Sequence, residues 1–287
     1  EAVDRKVTAA DEAYYSRYNL EALHAQGYTG EGVTIAVIDG RIDTSIPELQ
    51  GADIQDMTAC TIQTNADSDD HATFIAQLLV APDFGVAPGA TIYNYAVAHS
   101  PNDAGADCGL GMNRSALGDQ ASLIEQALND GVDIISISAT FTKRDAQAMQ
   151  WAVSRAVVEG VPIVGGMGND GQRDPDNVVG AWGGAIGVSA LETDGSWADY
   201  SNWGDGVTVA AVGKFTARRS DDGELYAVDG TSFAAPLVAG VLALAWQRFD
   251  DNVSAEQILQ ALAATARGSG GQWNERTGYG EVDPAAL

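Results

Sequence analysis

Short apolar runs recur along the chain, and most are too short to form a helix. The first, from Val33 to Ile38, is almost wholly apolar and rich in β-branched residues. Similar runs follow at 91–97, 133–138, 161–164, 185–189 and 207–212. Continuous apolar runs of this length are typical of strands that are buried on both faces, as in a parallel sheet.

Stretches with helical periodicity lie between several of these runs. One extends from Ser115 to Asn129 and another from Asp145 to Glu159, and each ends near a glycine. Alternating strands and helices predict an α/β domain, with a mostly parallel central sheet and helices on both faces. Functional sites in such sheets collect at the carboxyl ends of the strands.

The first 30 residues carry charged and aromatic residues at helical spacing. Leu20 and Leu23 are expected to face the core, and Gly27 to end the helix. The sequence contains no internal repeat, low-complexity tract or linker. We therefore expect one domain over residues 1–287, with residues 1–30 as a helical segment packed on it.

The chain has 15 basic and 40 acidic residues, which give a net charge of −25. This balance argues against nucleic acid and anionic membrane surfaces as partners. It fits an exported protein, so an extracellular or cell-surface location is expected. The uncharged run from Gly230 to Gln247 approaches transmembrane length, but its Gly, Ser, Thr and Pro residues favour a buried helix over membrane insertion.

The two cysteines, Cys60 and Cys108, lie in no Cys-x-x-Cys pattern, which argues against a zinc site. In an exported chain they would be able to form a disulfide, and two separate buried thiols are the alternative. The acidic loops contain no recognisable calcium-binding pattern. No metal or other cofactor is predicted, although calcium binding at an unrecognised site stays open.

Candidate chemistry concentrates in the run Asp229–Pro236, which leads into a long apolar stretch. Gly230 permits a sharp turn, and Thr231 is suited to cap the helix that follows. Ser232 would then lie at the positive end of that helix, beside backbone N–H groups without helical partners. A nucleophile that forms an oxyanion needs these surroundings, but a simple helix cap has the same sequence.

A serine nucleophile needs a base, and the chain has three histidines. His24 is expected on the solvated side of the first helix, and His99 in a loop after a strand. His71 follows an acidic stretch, 67–70, which is expected to be a loop, and precedes an apolar helix. Asp39 ends the first buried strand, where a carboxylate needs a partner.

A second glycine-rich turn follows the strand that begins at Val161. Glycines allow the backbone to approach a ligand closely, and Asn169 offers a side-chain N–H that can reach a developing oxyanion. A Gly-Asn turn without a role is the simple alternative. A dinucleotide site is disfavoured because the spacing does not follow G-x-G-x-x-G.

The run Asp229–Pro236 resembles the serine-nucleophile motif of the subtilisin-like serine proteases (subtilases), with Phe233 where the family has Met. The stretch Gly30–Asp39 is similar to the family segment that carries the catalytic aspartate, and His71–Ala76 to its histidine segment. Further segments that resemble the family are Gly85–Pro88, Tyr200–Gly204 and Gly278–Asp283.

This resemblance implies a subtilisin-like fold and a triad of Asp39, His71 and Ser232, with Asn169 in the oxyanion hole. It also implies that the substrate backbone binds along a strand and a glycine-rich turn, at Ser138, Ala139, Thr140, Gly166, Met167 and Gly168. The function that it implies is a serine endopeptidase acting on peptides or proteins. Such a protein is expected to be a monomer that meets a pro-segment or an inhibitor.

Four residues near the expected triad depart from the family pattern. Gly40 and Arg41 follow the aspartate, where the family has Thr or Ser and then Gly, and Ala72 and Phe74 replace Gly and a second His. Arg41 brings a permanent cation close to the triad. It is expected either to pair with Asp43 or to shape the substrate groove.

Two other functions use the same residues. In a peptide transamidase or macrocyclase an amine would replace water as the acyl acceptor, which requires a site that excludes water. A binding module with degraded chemistry would account for the four departures. The acidic loop 99–113 is expected to line the cleft, and it predicts tolerance for basic substrates.

Overall fold

The computed structural model describes residues 5–141, 146–249 and 253–287. The strands of the main sheet are Thr34–Asp39 (β1), Asp53–Asp56 (β2), Thr91–Ala96 (β3), Ile134–Ile137 (β4), Ile163–Gly166 (β5), Ile186–Leu191 (β6) and Val207–Val212 (β7). They are all parallel, in the order β2-β3-β1-β4-β5-β6-β7. A separate antiparallel hairpin consists of Lys214–Arg218 (β8) and Leu225–Asp229 (β9).

Helices cover both faces of the sheet. Their bounds are Ala13–Arg17 (α1), Leu20–Ala25 (α2), Ala66–Val80 (α3), Gln120–Asn129 (α4), Ala146–Glu159 (α5), Thr231–Phe249 (α6) and Ala255–Thr265 (α7). Helices α3 and α6 contribute to one buried cluster, whereas α4 and α5 contribute to another on the opposite face. The predicted α/β class, with a parallel sheet between helical layers in a single domain, is confirmed.

Strand β1 illustrates why the apolar runs predicted buried strands. Ile35 and Val37 pack in the cluster of α3 and α6, whereas Ala36 and Ile38 pack in the cluster of α4 and α5. Successive side chains of a strand point to opposite faces, so a strand between two helical layers needs apolar residues at every position.

The sheet order brings the candidate site together. Strands β1, β4 and β5 are neighbours, and their carboxyl ends lead into Asp39, Ser138 and Gly168. Because parallel strands all end at one edge of the sheet, residues that are far apart in sequence meet there.

Two predicted helices have different bounds in the structure. Helix α4 begins at Gln120 rather than Ser115, because the Asp119 side chain accepts a hydrogen bond from the Ser122 N–H and caps the helix there. The first helix is divided at Asn19, which has a left-handed backbone conformation with φ 54°.

The acidic stretch 67–70 is not a loop. It forms the first turn of α3, which begins at Ala66, and Asn65 caps this helix by accepting from the Ser68 N–H. Carboxylates are favourable at the positive end of a helix, so the acidic residues support the start of the helix rather than opposing it.

Helix α6 is long and apolar enough to cross a membrane by length and composition. Most of its side chains are buried, however, against β4–β7 and α3. It is therefore the central helix of the core, as the sequence indicated.

Candidate active site

His71 and Asp39 form a hydrogen-bonded pair at the carboxyl edge of β1. The His71 Nδ1 atom lies 3.0 Å from both Asp39 carboxylate oxygens. Asp39 is 4% exposed, and its Oδ1 also accepts from the Gly40 N–H. Because a carboxylate only accepts hydrogen bonds, Nδ1 carries the proton and Nε2 is left free to take one up.

The electrostatics of this pair favour a basic imidazole. Burial lowers the pKa of His71, but the charge of Asp39 and its hydrogen bond outweigh burial, so the pKa is raised above 6.5. This is the arrangement expected of a general base near neutral pH, because the carboxylate stabilises the imidazolium once it forms.

Gly40 allows α3 to pack directly over the end of β1. A Cβ atom at position 40 would lie 2.1 Å from the Ser68 carbonyl oxygen, in the first turn of α3. The Arg41 N–H next to it donates to Asp69 of the same turn. The departure at Gly40 therefore has a structural reason: it brings the helix of His71 close to Asp39.

The Arg41 side chain pairs with Asp56 and not with Asp43. Its Nε atom lies 3.5 Å from an Asp56 carboxylate oxygen, and Asp43 instead accepts from the backbone and hydroxyl of Ser45. Of the two roles that were open for Arg41, the pairing with Asp43 is not formed, because Ser45 already donates two hydrogen bonds to that carboxylate.

Ser232 lies in the first turn of α6, beside the end of β4. Its backbone carbonyl accepts from the Ser138 hydroxyl at 3.0 Å, and its own Oγ lies 3.5 Å from the Ser138 carbonyl oxygen. The Ser232 side chain is partly exposed, whereas Thr231 before it is buried. The hydroxyl is therefore accessible, on a helix end that is anchored by the buried Thr231 and by the hydrogen bond from Ser138.

Asn169 is oriented by Thr231. Its Oδ1 accepts from both the Thr231 N–H and the Thr231 hydroxyl, at 2.9 Å each. The Thr231 hydroxyl oxygen accepts in turn from the Gly168 N–H. Since the amide oxygen is occupied, the NH₂ group of Asn169 remains available for a ligand.

His71, Asn169 and Ser232 line one open cleft of about 410 Å³. The Phe233 ring packs between His71 and the hydrophobic core, with its centroid 5.5 Å from that of the imidazole. Phe74 packs on Phe233 and also lines the cleft. The cleft thus combines a base, a hydroxyl and an amide donor with an aromatic wall.

The predicted substrate-binding residues divide into two groups. Ser138, Ala139, Thr140 and Gly168 are partly or fully exposed and are not among the residues that line the 410 Å³ cleft. Gly166 and Met167 are buried, and a Cβ atom at Gly166 would meet Thr231 at 2.8 Å. We correct the prediction for these two residues: Gly166 packs against Thr231, Met167 accepts a hydrogen bond from Asn202, and neither is exposed to a substrate.

The other two histidines lie away from the cleft. His24 is half-buried, with its ring nitrogens 3.1 Å from the Tyr15 hydroxyl and 2.9 Å from the Val86 carbonyl oxygen. Burial lowers its pKa, although the hydrogen bond to Val86 acts in the opposite direction. The expectation of a solvated His24 was wrong, because α2 packs this face against the core. His99 is exposed in a loop.

At one side of the cleft, hydrogen bonds that the sequence did not predict join Asp70 of α3 to residues 219–221 of the β8–β9 hairpin. We call these contacts the hairpin–helix clamp. The buried Asp70 carboxylate, next to His71, accepts from Arg219 Nε and Ser220 Oγ at 2.6 Å each, and from the N–H groups of Ser220 and Asp221. Burial raises the pKa of Asp70, but these partners outweigh it and lower the pKa. The β8–β9 hairpin is thereby fixed to α3.

A sequence signal for this hairpin existed. The Asp222-Gly223 dipeptide lies between two β-rich runs, 214–218 and 225–229, which is typical of a hairpin turn. Nothing in the sequence indicates, however, that the hairpin lies over the helix of His71.

Cys60 and Cys108 are joined by a disulfide, with their Cα atoms 5.2 Å apart. It connects the segment before α3 to the loop after β3. Among residues 5–141, 146–249 and 253–287, no group of three His, Cys, Asp or Glu side chains is arranged to hold a metal ion.

Solved structures share this fold. A serine protease, MycP1, described as an essential component of the type VII (ESX-1) secretion system, matches with a TM-score of 0.77 and 25% identity, over 99% of this chain and 90% of that one. The PatG macrocyclase in complex with peptide matches with a TM-score of 0.76 and 22% identity, over 93% and 94% of the two chains.

Sequence comparisons identify the family more specifically than the shared fold does. Subtilisin E of Bacillus subtilis (strain 168) is 29% identical over 279 residues, which cover 94% of this chain and 70% of that protein. The subtilase family model matches residues 30–280, most of the chain. The chain therefore belongs to the subtilase family, the subtilisin-like serine proteases.

Proposed function

We propose that this protein is a serine endopeptidase that hydrolyses peptide bonds through an acyl-enzyme on Ser232. The observation that carries the proposal is the contact of His71 Nδ1 with Asp39, which leaves Nε2 free in the cleft that Ser232 and Asn169 also line. Family membership supports the same chemistry.

In the first half-reaction, Ser232 Oγ attacks the substrate carbonyl carbon while His71 Nε2 takes the hydroxyl proton. Asp39 stabilises the imidazolium that results. The negative oxygen of the tetrahedral intermediate accepts from the Asn169 NH₂ group and the Ser232 N–H. The C–N bond then breaks, and His71 returns its proton to the leaving amine.

In the second half-reaction, water attacks the ester carbonyl and gives its proton to His71. The bond from Ser232 Oγ to the acyl carbon breaks, the proton passes to Oγ, and the acid product leaves. The same three side chains therefore act in both steps. His71 lies beside the leaving amine in the first step and beside the incoming water in the second.

Solvent access supports water as the acyl acceptor. The His71 side chain is 31% exposed, and Ser232 is partly exposed. A transamidase must protect its acyl-enzyme from water, which an open cleft does not do. The likeness to the PatG macrocyclase is one of fold at 22% identity.

The departures from the family pattern do not support a binding module without chemistry. Gly40 fits the close packing of α3, Ala72 is buried in the core, and Phe74 forms part of the cleft wall. None of them removes the carboxylate, imidazole, hydroxyl or amide on which the reaction depends.

Peptides or proteins are the proposed substrates, and a pro-segment or an inhibitor is the proposed further partner of the same cleft. We place the protein outside the cytoplasm, at the cell surface or beyond it. The disulfide supports this location, because such bonds persist in oxidising compartments.

The direct test is product analysis by mass spectrometry after incubation with an unfolded protein substrate and with a peptide long enough to cyclise. Hydrolysis predicts linear fragments whose new carboxyl ends carry ¹⁸O when the reaction is run in H₂¹⁸O. The Ser232→Ala variant should yield none. Cyclic or ligated products without ¹⁸O would instead establish the transamidase.

A further inference from the structure

The 410 Å³ cleft lies on the leaving-group side of Ser232. The strand residues Ser138 and Thr140 are absent from its lining, whereas His71 is part of it. In a triad mechanism the imidazole gives its proton to the departing amine, so the amine half of the substrate must lie beside it. The cleft is therefore where the amine-side residues of a substrate bind.

The wall nearest His71 is aromatic and apolar. Phe233, which is 5% exposed, packs against the imidazole, Phe74 packs on Phe233, and Val228 of β9 faces the same space. Such a wall accommodates the aliphatic part of a long side chain, as it would the stem of lysine or arginine.

Among the described residues of the lining, Arg219 is the one permanent cation, and it is already paired. Arg219 Nε donates to Asp70 at 2.6 Å, and its Nη2 lies 3.6 Å from Asp67. Its guanidinium also lies over the Tyr226 ring, 5.7 Å from the centroid. Arg219 is therefore held within the hairpin–helix clamp, and its charge is offset before a substrate arrives.

Asp229 supplies a carboxylate that takes no part in the hairpin–helix clamp. It is exposed at the end of β9, lines the cleft, and makes no side-chain hydrogen bond or ion pair with the described residues. It lies three residues before Ser232. As far as the described residues go, the lining carries three carboxylates, of Asp67, Asp70 and Asp229, against the single guanidinium of Arg219.

We infer that Asp229 makes this cleft selective for a basic side chain on the amine side of the scissile bond. The inference rests on the proposed acyl-enzyme chemistry and adds the substrate class to it. The aromatic wall receives the stem of a lysine or arginine and Asp229 pairs with its charge. An acidic substrate side chain in the same place is repelled by the excess of carboxylates in the lining.

An amine that attacks the acyl-enzyme binds in the same cleft. Acyl transfer to competing amines therefore measures directly which side chain the cleft prefers. The acyl-enzyme is formed from a peptide p-nitrophenyl ester, which has no amine-side residue. Arginine amide then competes with citrulline amide, its neutral isostere. The attacking amine forms the C–N bond, the Oγ–C bond breaks, and the amine proton passes through His71 to Ser232 Oγ.

We expect arginine amide to be acylated about two- to fivefold more than citrulline amide, the range for an ion pair at an exposed site. Glutamine amide should likewise exceed glutamate amide. In Asp229→Asn the arginine preference should fall towards unity, and in Asp67→Asn it should fall less. Glu224→Gln, which removes an exposed acid of the same hairpin outside the cleft, should keep the wild-type ratio.

The outcomes separate this inference from the function on which it rests. Release of nitrophenol with equal acylation of arginine and citrulline amides, or an unchanged ratio in Asp229→Asn, would refute the selectivity and leave the serine peptidase in place. No release of nitrophenol from folded protein, in which Ser232 also fails to react, would refute both.

Discussion

Gly40 shows how one residue sets the geometry of the candidate triad. Sequence comparison with the family pattern marks this position as a departure, and a departure beside Asp39 suggests damaged chemistry. The structure gives it a packing role, since the Ser68 carbonyl occupies the space that a side chain would need. The sequence did not reveal this role, because the stretch 67–70 was expected to be a loop rather than the first turn of α3.

Replacing Gly40 with alanine should therefore reduce activity without unfolding the protein. The new methyl group would lie 2.1 Å from the Ser68 oxygen, so α3 must move and carry His71 away from Asp39. A displacement of about 1 Å in a catalytic group costs on the order of 100-fold in rate. The measurement is kcat/KM together with the circular dichroism spectrum.

Gly183→Ala provides the control, because a Cβ atom at that glycine has nothing within 4 Å. Its kcat/KM should match that of the wild type. A Gly40→Ala enzyme with full activity would show that the contact with Ser68 does not position His71.

Glu12 is a buried carboxylate whose environment should make stability depend on pH. It is 3% exposed, Oε2 accepts from the Thr216 N–H, and Oε1 has no hydrogen-bond partner among the described residues. Burial raises the pKa of Glu12 to about 8, and the hydrogen bond from Thr216 opposes this only in part.

The folded protein therefore holds a proton on Glu12 that the unfolded chain releases near its ordinary pKa of 4.5. Between pH 4.5 and about 8 this group should lower the free energy of unfolding as pH rises, by about 1.4 kcal/mol per pH unit. Glu12→Gln removes this dependence. Its melting temperature should exceed that of the wild type by more at pH 9 than at pH 5.

Glu31→Gln, at an exposed position, should follow the wild-type pH dependence in the same melting experiments. If Glu12→Gln also follows it, Glu12 is not protonated in the folded protein.

At the scale of elements, the sequence predicted the strands and helices whose burial requires apolar residues in a recognisable pattern. The apolar runs identified β1 and β3–β7, because most of their side chains are buried. Strand β2, with Asp53, Gln55 and Asp56 exposed, lies at the edge of the sheet and has no such pattern. Strand β7 lies at the opposite edge but is buried, so it is the exposure of β2, and not its edge position alone, that removes the hydrophobic pattern.

The disulfide is an element-scale constraint, since it joins segments 48 residues apart around α3 and β3. In the chain-entropy model, closing a loop of this length stabilises the folded state by roughly 4 kcal/mol. A reductant should lower the melting temperature by several degrees. The Cys60→Ser/Cys108→Ser double variant should start from the lower value and show no further change. Equal melting temperatures for all samples would contradict this stabilisation.

At the scale of the whole molecule, 40 acidic side chains face only 15 basic ones. Many carboxylates must then lie on the surface without a cation nearby, and their mutual repulsion opposes the compact state. Composition alone predicts this property, because it depends on the number of charges rather than on their positions.

Salt should therefore stabilise the protein. The Debye length falls from about 30 Å at 0.01 M salt to about 10 Å at 0.1 M, which screens charges across the surface. We expect the melting temperature to rise by a few degrees between 0.01 M and 0.5 M NaCl, and equally with KCl. A rise with one salt alone would indicate a specific ion site, and a fall would contradict the screening argument.

The central claim of this account is that His71 and Asp39 activate Ser232, and reaction with a fluorophosphonate tests it most directly. We predict one adduct, on Ser232, whose rate of formation falls as pH is lowered through the raised pKa of His71. It should be absent in Ser232→Ala and slower by about 100-fold or more in His71→Ala. An adduct that forms equally fast in His71→Ala, or none on folded wild-type protein, would contradict the claim.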